Sequence, residues 1–421
     1  MTNPVQHWGW ISRIDLRGAS GVLALAVVLV LGSAATQSAQ AQTFTDVYNF
    51  TWSGGGSFPQ AGLVRGAAGN LFGTTANSGE YPPTYGTVFK VTKAGKESVL
   101  YNFTGGSDGG YPYAGLVRDA AGNLYGETTV GGDLNSCSGS GCGTVFKVDP
   151  SGTETVLHNF TGGTTDGCTP NGGLLRDQAG NLYGTTTNCG ASGYGTVFKV
   201  DPSGTETVLH NFAGGSSDGA NPAYASLLRD QAGNLYGTTY GGGTSNAGVV
   251  YELSKSGTET ALYSFAGGLS DGCYPFGTPA MDKKGNLYGT AESCGSSDKG
   301  IVWKLSKKGA ETVLHNFAGG PSDGAYPYAG VIMDANGNLY GNTLGGGNQN
   351  YTGYGTVYEL SKSGTFTLLH TFDEADGAYA SGGLVRDAVG NLYGTTQYGG
   401  NSSCNASGAP YGCGTVWKLT P

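Results

Sequence analysis

Charge is scarce in this chain. Only 12% of its 421 residues are Asp, Glu, Lys or Arg, the net charge is −9, and no run of Lys or Arg occurs. Such an acidic surface offers no footprint for nucleic acid or anionic lipid. Strong helix formers are few, which argues against a helical solenoid. Apolar runs are confined to Gly21–Gly32, and a run of about twelve residues is too short to span a bilayer. No Cys-x-x-Cys pair exists and no His accompanies the cysteines, which removes the usual zinc pattern. What the chain has instead is 79 Gly and 26 Tyr, the composition of a turn-rich all-β protein.

The glycines are periodic. Gly-Asn pairs fall at Gly69, Gly122, Gly180, Gly233, Gly285, Gly337 and Gly390, at spacings of 53, 58, 53, 52, 52 and 53. Each unit holds four short β-branched and aromatic runs parted by Gly, Asn, Asp and Ser, and four strands per unit is a propeller blade. The reading is a seven-bladed, all-β propeller over 42–421, four antiparallel strands to a blade. The chain enters through Phe44–Phe50, which matches the fourth run of a unit, and leaves through Gly414–Leu419, which matches the third. The N-terminal strand should therefore pair with the last blade and close the ring. Residues 1–41 lie outside the repeat. Arg13 and Arg17 precede the apolar run, and Ala39-Gln40-Ala41 offers a small-x-small cleavage site before Gln42. This is expected to be a signal peptide, with the mature chain exported, extracellular or periplasmic, and off the membrane.

Strand parity sorts the loops onto two faces. With strands a to d in chain order, the a-b and c-d turns share one face and are short and uniform, built as Asp-x-x-Gly-Asn and Asp-Pro-Ser-Gly. The d-a and b-c loops share the other face, vary in length, and carry Asp, Tyr and Cys. The b-c loops are longest in blades six, seven, one and two, an arc rich in Tyr81, Tyr85, Tyr351, Tyr354, Tyr398 and Tyr411. The same geometry pairs Cys168 with Cys189 and Cys273 with Cys294, at the two ends of an a-b hairpin. Cys137 with Cys142 and Cys404 with Cys413 are each confined to one b-c loop.

His158, His210, His315 and His370 sit at one repeat position on strand d, where other units place Tyr48, Tyr101 and Tyr263. Spread over different blades they cannot serve one metal or one nucleophile, so a structural role, no metal and no cofactor are expected. Arg65, Arg118, Arg176, Arg229 and Arg386 on strand a are read as packing, with Arg-Asp pairing between blades. The d-a loops carry Asp-Gly at Asp108, Asp166, Asp218, Asp271, Asp323 and Asp376, followed in several by aromatics near Pro. A ring of carboxylates and aromatic faces at the channel mouth would stack on sugar rings and accept their hydroxyl hydrogen bonds. The candidate ligand-binding set is Asp108, Tyr111, Tyr113, Asp271, Tyr274, Asp323, Tyr326, Tyr328, Asp376 and Tyr379; the alternative is that Asp-Gly only makes a turn and Tyr-Pro only wedges strand a.

The unit G-x-L-V-R-D-x-x-G-N-L-Y-G-T-T with G-T-V-F-K and E-T-V-L-H-N-F resembles the bacterial GloVer tandem-repeat family over roughly residues 44 to 420. More distantly, D-x-x-G-N-L-Y followed by a D-P-x-G turn resembles NHL propellers. The first resemblance implies export and often a C-terminal surface anchor, but no common activity; the chain stops at Pro421 directly after a strand, with no sorting tail. The expected function is a monomeric, non-catalytic binding or scaffold propeller recognising glycan or another cell-surface polymer. The alternative is a propeller hydrolase or lactonase with a metal at the channel mouth. An enzyme needs a polar cluster that departs from the repeat, for which Glu80, Glu127, Asp133, Glu292, Asp298 and Glu374 are the candidates.

Overall fold

Runs such as Thr87-Val88-Phe89-Lys90-Val91 bury both faces, Val88 against one neighbouring sheet and Phe89 against the other, and the result is seven small sheets around an axis. A computed structural model describes residues 42–51, 55–77, 85–222, 224–348, 353–400, 404 and 412–420. Each blade is a four-stranded antiparallel meander. In blade two, for example, strand a is Val117–Arg118, b is Leu124–Thr128, c is Thr144–Val148 and d is Glu154–Asn159. Beyond the strands there is only one short 3-10 turn, Cys137–Gly139, among the described residues.

The last blade takes its outer strand from the other end of the chain. Thr43–Asn49 pairs antiparallel with Thr415–Thr420, Phe44 opposite Leu419 and Asn49 opposite Thr415, and the Phe50 N–H donates to the Gly414 carbonyl at 3.0 Å. The closure expected from strand order is therefore present.

The apolar core lies between blades. The Phe ending each strand d meets edge-on the large aromatic in the middle of the next blade's strand c, as in Phe103 with Phe146 and Phe50 with Phe89, both at 5.0 Å. Each seam has its own cluster of this kind. The closing seam joins Phe50 and Val416 to Leu71, Phe89 and Val91, all at most 2% exposed. A glycine in strand b makes the room: a Cβ at Gly126 would stand 2.6 Å from Phe146.

The Asp-x-x-Gly-Asn-Leu-Tyr signature is one hydrogen-bonded unit. Asp119 accepts from the Asn123 backbone and side chain, each at 2.8 Å, and from the Tyr125 hydroxyl at 3.0 Å. Burial opposes its ionisation, but these donors outweigh it and hold its pKa below the ordinary value. In blade one the Asp is Gly66 and the Tyr is Phe72, so donor and acceptor disappear together.

All four disulfides have the expected partners, with Cα separations of 5.3 Å for Cys137–Cys142, 5.4 Å for Cys168–Cys189 and Cys273–Cys294, and 5.6 Å for Cys404–Cys413, each within the usual Cα range for a bridge. Such bonds accord with an exported chain. Among the described residues no helix is long and apolar enough to cross a membrane. The strand-a arginines depart from the expected pairing. No Arg-Asp ion pair occurs among the described residues; Arg118 lies over Phe72, Arg176 over Tyr125, Arg229 over Tyr183, Arg386 over Tyr340 and Arg65 over Tyr393, at 5.4 to 5.9 Å. The turn aspartates are already filled by Asn and Tyr, so each guanidinium covers the preceding blade's strand-b ring instead.

Candidate functional site

In six blades the innermost strand is only two residues long, and in blade five it continues a ten-residue strand, Gly272–Met281, so the segment before the strand-a pair forms the channel wall. That wall is mostly small residues whose backbones touch between blades; a Cβ at Gly62 would stand 2.9 Å from the Gly383 carbonyl. Together they enclose an axial cavity of about 330 Å³ that Gln60, Tyr113, Asn171, Tyr224, Thr278 and Tyr328 reach with side chains. From behind, the first Thr of strand b braces the wall of the next blade: Thr74 donates to the Ala114 carbonyl at 3.0 Å, Thr290 to Ala329 at 2.9 Å and Thr395 to Ala61 at 2.9 Å.

Blade two breaks that pattern. Glu127 replaces the Thr and accepts the Gly173 N–H at 3.0 Å through Oε2, while Oε1 is buried without a partner. The side chain is 1% exposed, and burial raises its pKa to about 8, with the Gly173 N–H only partly offsetting the effect.

The mouth of the cavity is asymmetric. Across blades four to six the rings form a continuous platform: Tyr240 stacks on Tyr274 with centroids 4.4 Å apart, Phe276 stacks on Tyr328 at 4.4 Å, and Tyr224 meets both Phe276 at 5.7 Å and Tyr328 at 5.4 Å. Tyr224 is 40% and Tyr240 39% exposed, whereas Phe276 between them is buried, so the platform meets solvent through these two rings. Glu292 lies at its edge. Burial raises the Glu292 carboxyl pKa, and burial together with neighbouring Tyr224 and Glu292 raises that of the Tyr328 hydroxyl. A second ring pair, Tyr111 parallel to Tyr113 at 6.1 Å, borders blades one and two beside Tyr85.

Of the residues predicted from sequence, Tyr113 and Tyr328 line the cavity and Tyr274 joins the platform. The carboxylates are placed elsewhere. Asp108 accepts from the Tyr101 hydroxyl at 3.0 Å and the Thr104 N–H at 2.8 Å; Asp271 accepts from Tyr263 at 2.9 Å and the Ala266 N–H at 2.7 Å. Asp323 and Asp376 face His315 and His370 at 3.1 and 2.8 Å. Each thus ties its own loop back to strand d and lies away from the cavity wall. This is also the use made of His315 and His370.

Tyr111, Tyr274, Tyr326 and Tyr379 occupy a backbone position with φ of 56 to 59°, unusual for a non-glycine residue. At that position each N–H crosses to the preceding blade: Tyr111 to the Tyr85 carbonyl at 2.7 Å, Tyr274 to Ala247 at 2.8 Å, Tyr326 to Lys299 at 2.9 Å and Tyr379 to Tyr354 at 2.8 Å. The strained residue is a stitch between blades. In blades one, three and four Phe58, Thr169 and Asn221 do the same without Tyr, so the backbone, and not the ring, carries this role. Tyr326 also lies under the Lys299 ammonium and hydrogen-bonds to it.

Among the remaining acids, Asp133 is capped by Asn135 and Ser136, Asp298 accepts the Cys294 N–H, and Glu374 accepts from Tyr354. Glu80, Tyr81, Tyr351, Tyr411 and the predicted signal segment 1–41 lie outside the described residues. Sequence reasoning missed Tyr224 and Tyr240. Both stand at repeat positions that vary from blade to blade: Tyr240 aligns with Ala76, Thr129, Thr187, Glu292, Leu344 and Gln397, and that variability was the available signal. A separate cavity of about 560 Å³ opens at the closing seam near Asp46, Arg65, Lys93 and Asp387, also unforeseen.

The model of the Gloeobacter/Verrucomicrobia repeat matches residues 32–175, 136–283 and 268–421, nearly the whole chain. No curated protein matches the sequence. Among solved structures, an extracellular domain assigned to a hybrid two-component system of B. thetaiotaomicron is 13% identical, with a TM-score of 0.51 over 90% of this chain and 41% of that one. A gluconolactonase from Xanthomonas campestris is 16% identical, with a TM-score of 0.41 over 71% and 82%. A Thermus thermophilus protein assigned as an oxidoreductase (glucose dehydrogenase) is 13% identical, with a TM-score of 0.45 over 90% and 100%. At these identities the likeness is one of fold.

Proposed function

The chain belongs to the Gloeobacter/Verrucomicrobia repeat family, and from its seven-bladed ring we propose that it is an exported, non-catalytic binding propeller that takes a glycan or similar surface polymer at the channel mouth over blades four to six. The observation that supports this is the connected set of rings Tyr224, Tyr240, Tyr274, Phe276 and Tyr328 beside Glu292, with Tyr224 and Tyr240 exposed at its surface. Ring faces stack on the apolar faces of sugars, and hydroxyls and a carboxylate at the rim accept and donate the hydrogen bonds that orient them. The other acids at this face are consumed by loop geometry, which leaves recognition to the aromatics.

The test is a glycan array followed by titration of the best ligand. Each stacked ring contributes on the order of 1 kcal/mol, so Tyr240→Ala with Tyr328→Ala should weaken binding roughly 10- to 30-fold with the fold unchanged. Equal affinity of the double variant and the parent would sink the placement. A second reading rests on Glu292, whose raised pKa beside Tyr240 and Tyr328 suits a general acid in a hydrolase; turnover of a bound glycan or lactone, lost in Glu292→Gln, would favour it.

A further inference from the structure

The four histidines do not converge, yet each meets residues of two blades, and the seams between blades differ in what they bring together. One side of a seam supplies the strand-d ring and the Asp-Gly carboxylate; the next blade supplies the residue that opens its own strand d. At seams one/two and four/five the sets are Tyr101, Asp108, Glu154 and Tyr263, Asp271, Glu311, closed by direct Tyr-to-Asp hydrogen bonds of 3.0 and 2.9 Å. At seams five/six and six/seven a Phe replaces the Glu. Phe366 lies flat on His315 with centroids 4.1 Å apart and Phe44 on His370 at 3.8 Å.

Asp46 also stands near His370 and Asp376 at seam six/seven, but among the described residues only seams two/three and three/four bring an imidazole nitrogen and two carboxylate oxygens close enough to share one ion. Ligand atoms of His158, Asp166 and Glu206, and of His210, Asp218 and Glu259, all lie within 4.8 Å of one another in each set. Here the imidazole lies further from its Asp, His158 Nε2 without a hydrogen bond and His210 through a long one of 3.4 Å. Nε2 is 3.6 Å from Asp166 and 3.4 Å from Asp218, against 3.1 and 2.8 Å where Phe closes the seam. His158 Nε2, Glu206 Oε1 and Glu259 Oε1 are buried without hydrogen-bond partners. Two ligands on a tetrahedral divalent metal, each about 2.0–2.1 Å from it, are roughly 3.4 Å apart; the His-to-Asp separations of 3.6 and 3.4 Å match this, and the Glu oxygen stands within 4.8 Å of both.

We propose that these seams are two inter-blade sites for a divalent transition metal, zinc being the best match to one imidazole nitrogen and two carboxylate oxygens with water completing the set. The carboxylate is already oriented: Asp166 accepts the Thr161 and Gly167 N–H groups at 2.8 and 2.7 Å, and Asp218 those of Ala213 and Gly219, both at 2.7 Å. Backbone donors of this kind fix ligand direction. Cys137, Cys168 and Cys189 also cluster, but they are consumed in disulfides. The metal would tie outer strands of neighbouring blades across seams that are otherwise packed by apolar side chains.

The repeat supplies its own control, because Glu154 and Glu311 share the buried, unpartnered Oε1 but face a phenol. The experiment strips the disulfide-bonded protein with a chelator, titrates it with Zn²⁺ calorimetrically and counts bound metal by mass spectrometry. Two equivalents at micromolar affinity or tighter are expected, one per seam. His158→Tyr should lose one equivalent and His158→Tyr with His210→Tyr both, with unchanged circular dichroism, since Tyr already occupies this position in sister seams. Should that pair fail to fold, Glu206→Gln with Glu259→Gln replaces it. No saturable Zn²⁺ binding by the parent, or both equivalents retained in a folded double variant, overturns the proposal.

Discussion

Glu127 shows how a single departure from the repeat changes the energetics. Its pKa of about 8 in the folded chain compares with an ordinary value near 4.3 when unfolded. Below that lower value both states are protonated and the group has no effect. As pH rises to about 8 the unfolded chain releases a proton that the folded chain keeps, so stability falls across this window and levels off above it, by a total on the order of 5 kcal/mol. Glu127→Thr restores the brace that Thr74, Thr290 and Thr395 make. The variant should melt higher than the parent at pH 8, and the gap should shrink towards pH 4 because other titrating groups are common to both. A gap independent of pH would show that Glu127 is ionised or hydrated in the folded state. This position was visible in the sequence as an odd residue in a repeat. Its consequence was not, because the wall it braces belongs to the next blade, where Gly173 meets it.

At the scale of loops and strands, strand parity was enough to read the disulfides. Cys168 and Cys189 flank one hairpin, and the two ends of an antiparallel hairpin meet on one face. The Asp-Gly carboxylates were harder to place. Their partners, Tyr101 or His370 among them, sit on the preceding strand, and sequence shows the turn but not the fold-back that brings carboxylate and ring together. Likewise Tyr111-Pro112 reads as a wedge, and nothing local shows that its N–H crosses to Tyr85. The bridges themselves should not be equal. The Cys168–Cys189 and Cys273–Cys294 pairs are 21 residues apart and Cys137–Cys142 only 5, so loop entropy assigns about 3 kcal/mol to each long bridge and about 2 to the short one. Replacing Cys168 and Cys189 by Ala should therefore lower the chemical-denaturation midpoint more than replacing Cys137 and Cys142. The reverse order would mean that strain or residual unfolded structure outweighs chain entropy.

In the whole molecule the ends of the described chain are paired neighbours, Thr43 opposite Thr420 and Phe44 opposite Leu419, which makes the outer half of the last blade a c-d hairpin that lacks only its turn, beside the closing seam. Phe50 is fully buried in that seam, and its contact with Phe89 repeats the ring contact of every other seam. If closure by strand pairing is what completes the ring, removing residues 42–50 should expose the strand Thr415–Thr420, strip the seam of Phe50, and cost at least the roughly 3–5 kcal/mol typical of deleting a buried Phe. The position of the break should matter far less than its closure. A permuted chain that joins Leu419 to Phe44 through the residues of the blade-two turn, Asp-Pro-Ser-Gly-Thr, and opens the equivalent turn between Ser203 and Gly204 keeps every seam and recreates the same strand exchange in blade three. It should fold with the parent's far-ultraviolet spectrum and melt within about 5 °C of it, since a change of about 1 kcal/mol moves the midpoint of a large domain by only a few degrees. An unfolded permutant beside a stable truncation would show that the seven seams are not equivalent and that the ring is held by something other than its strand-paired closure.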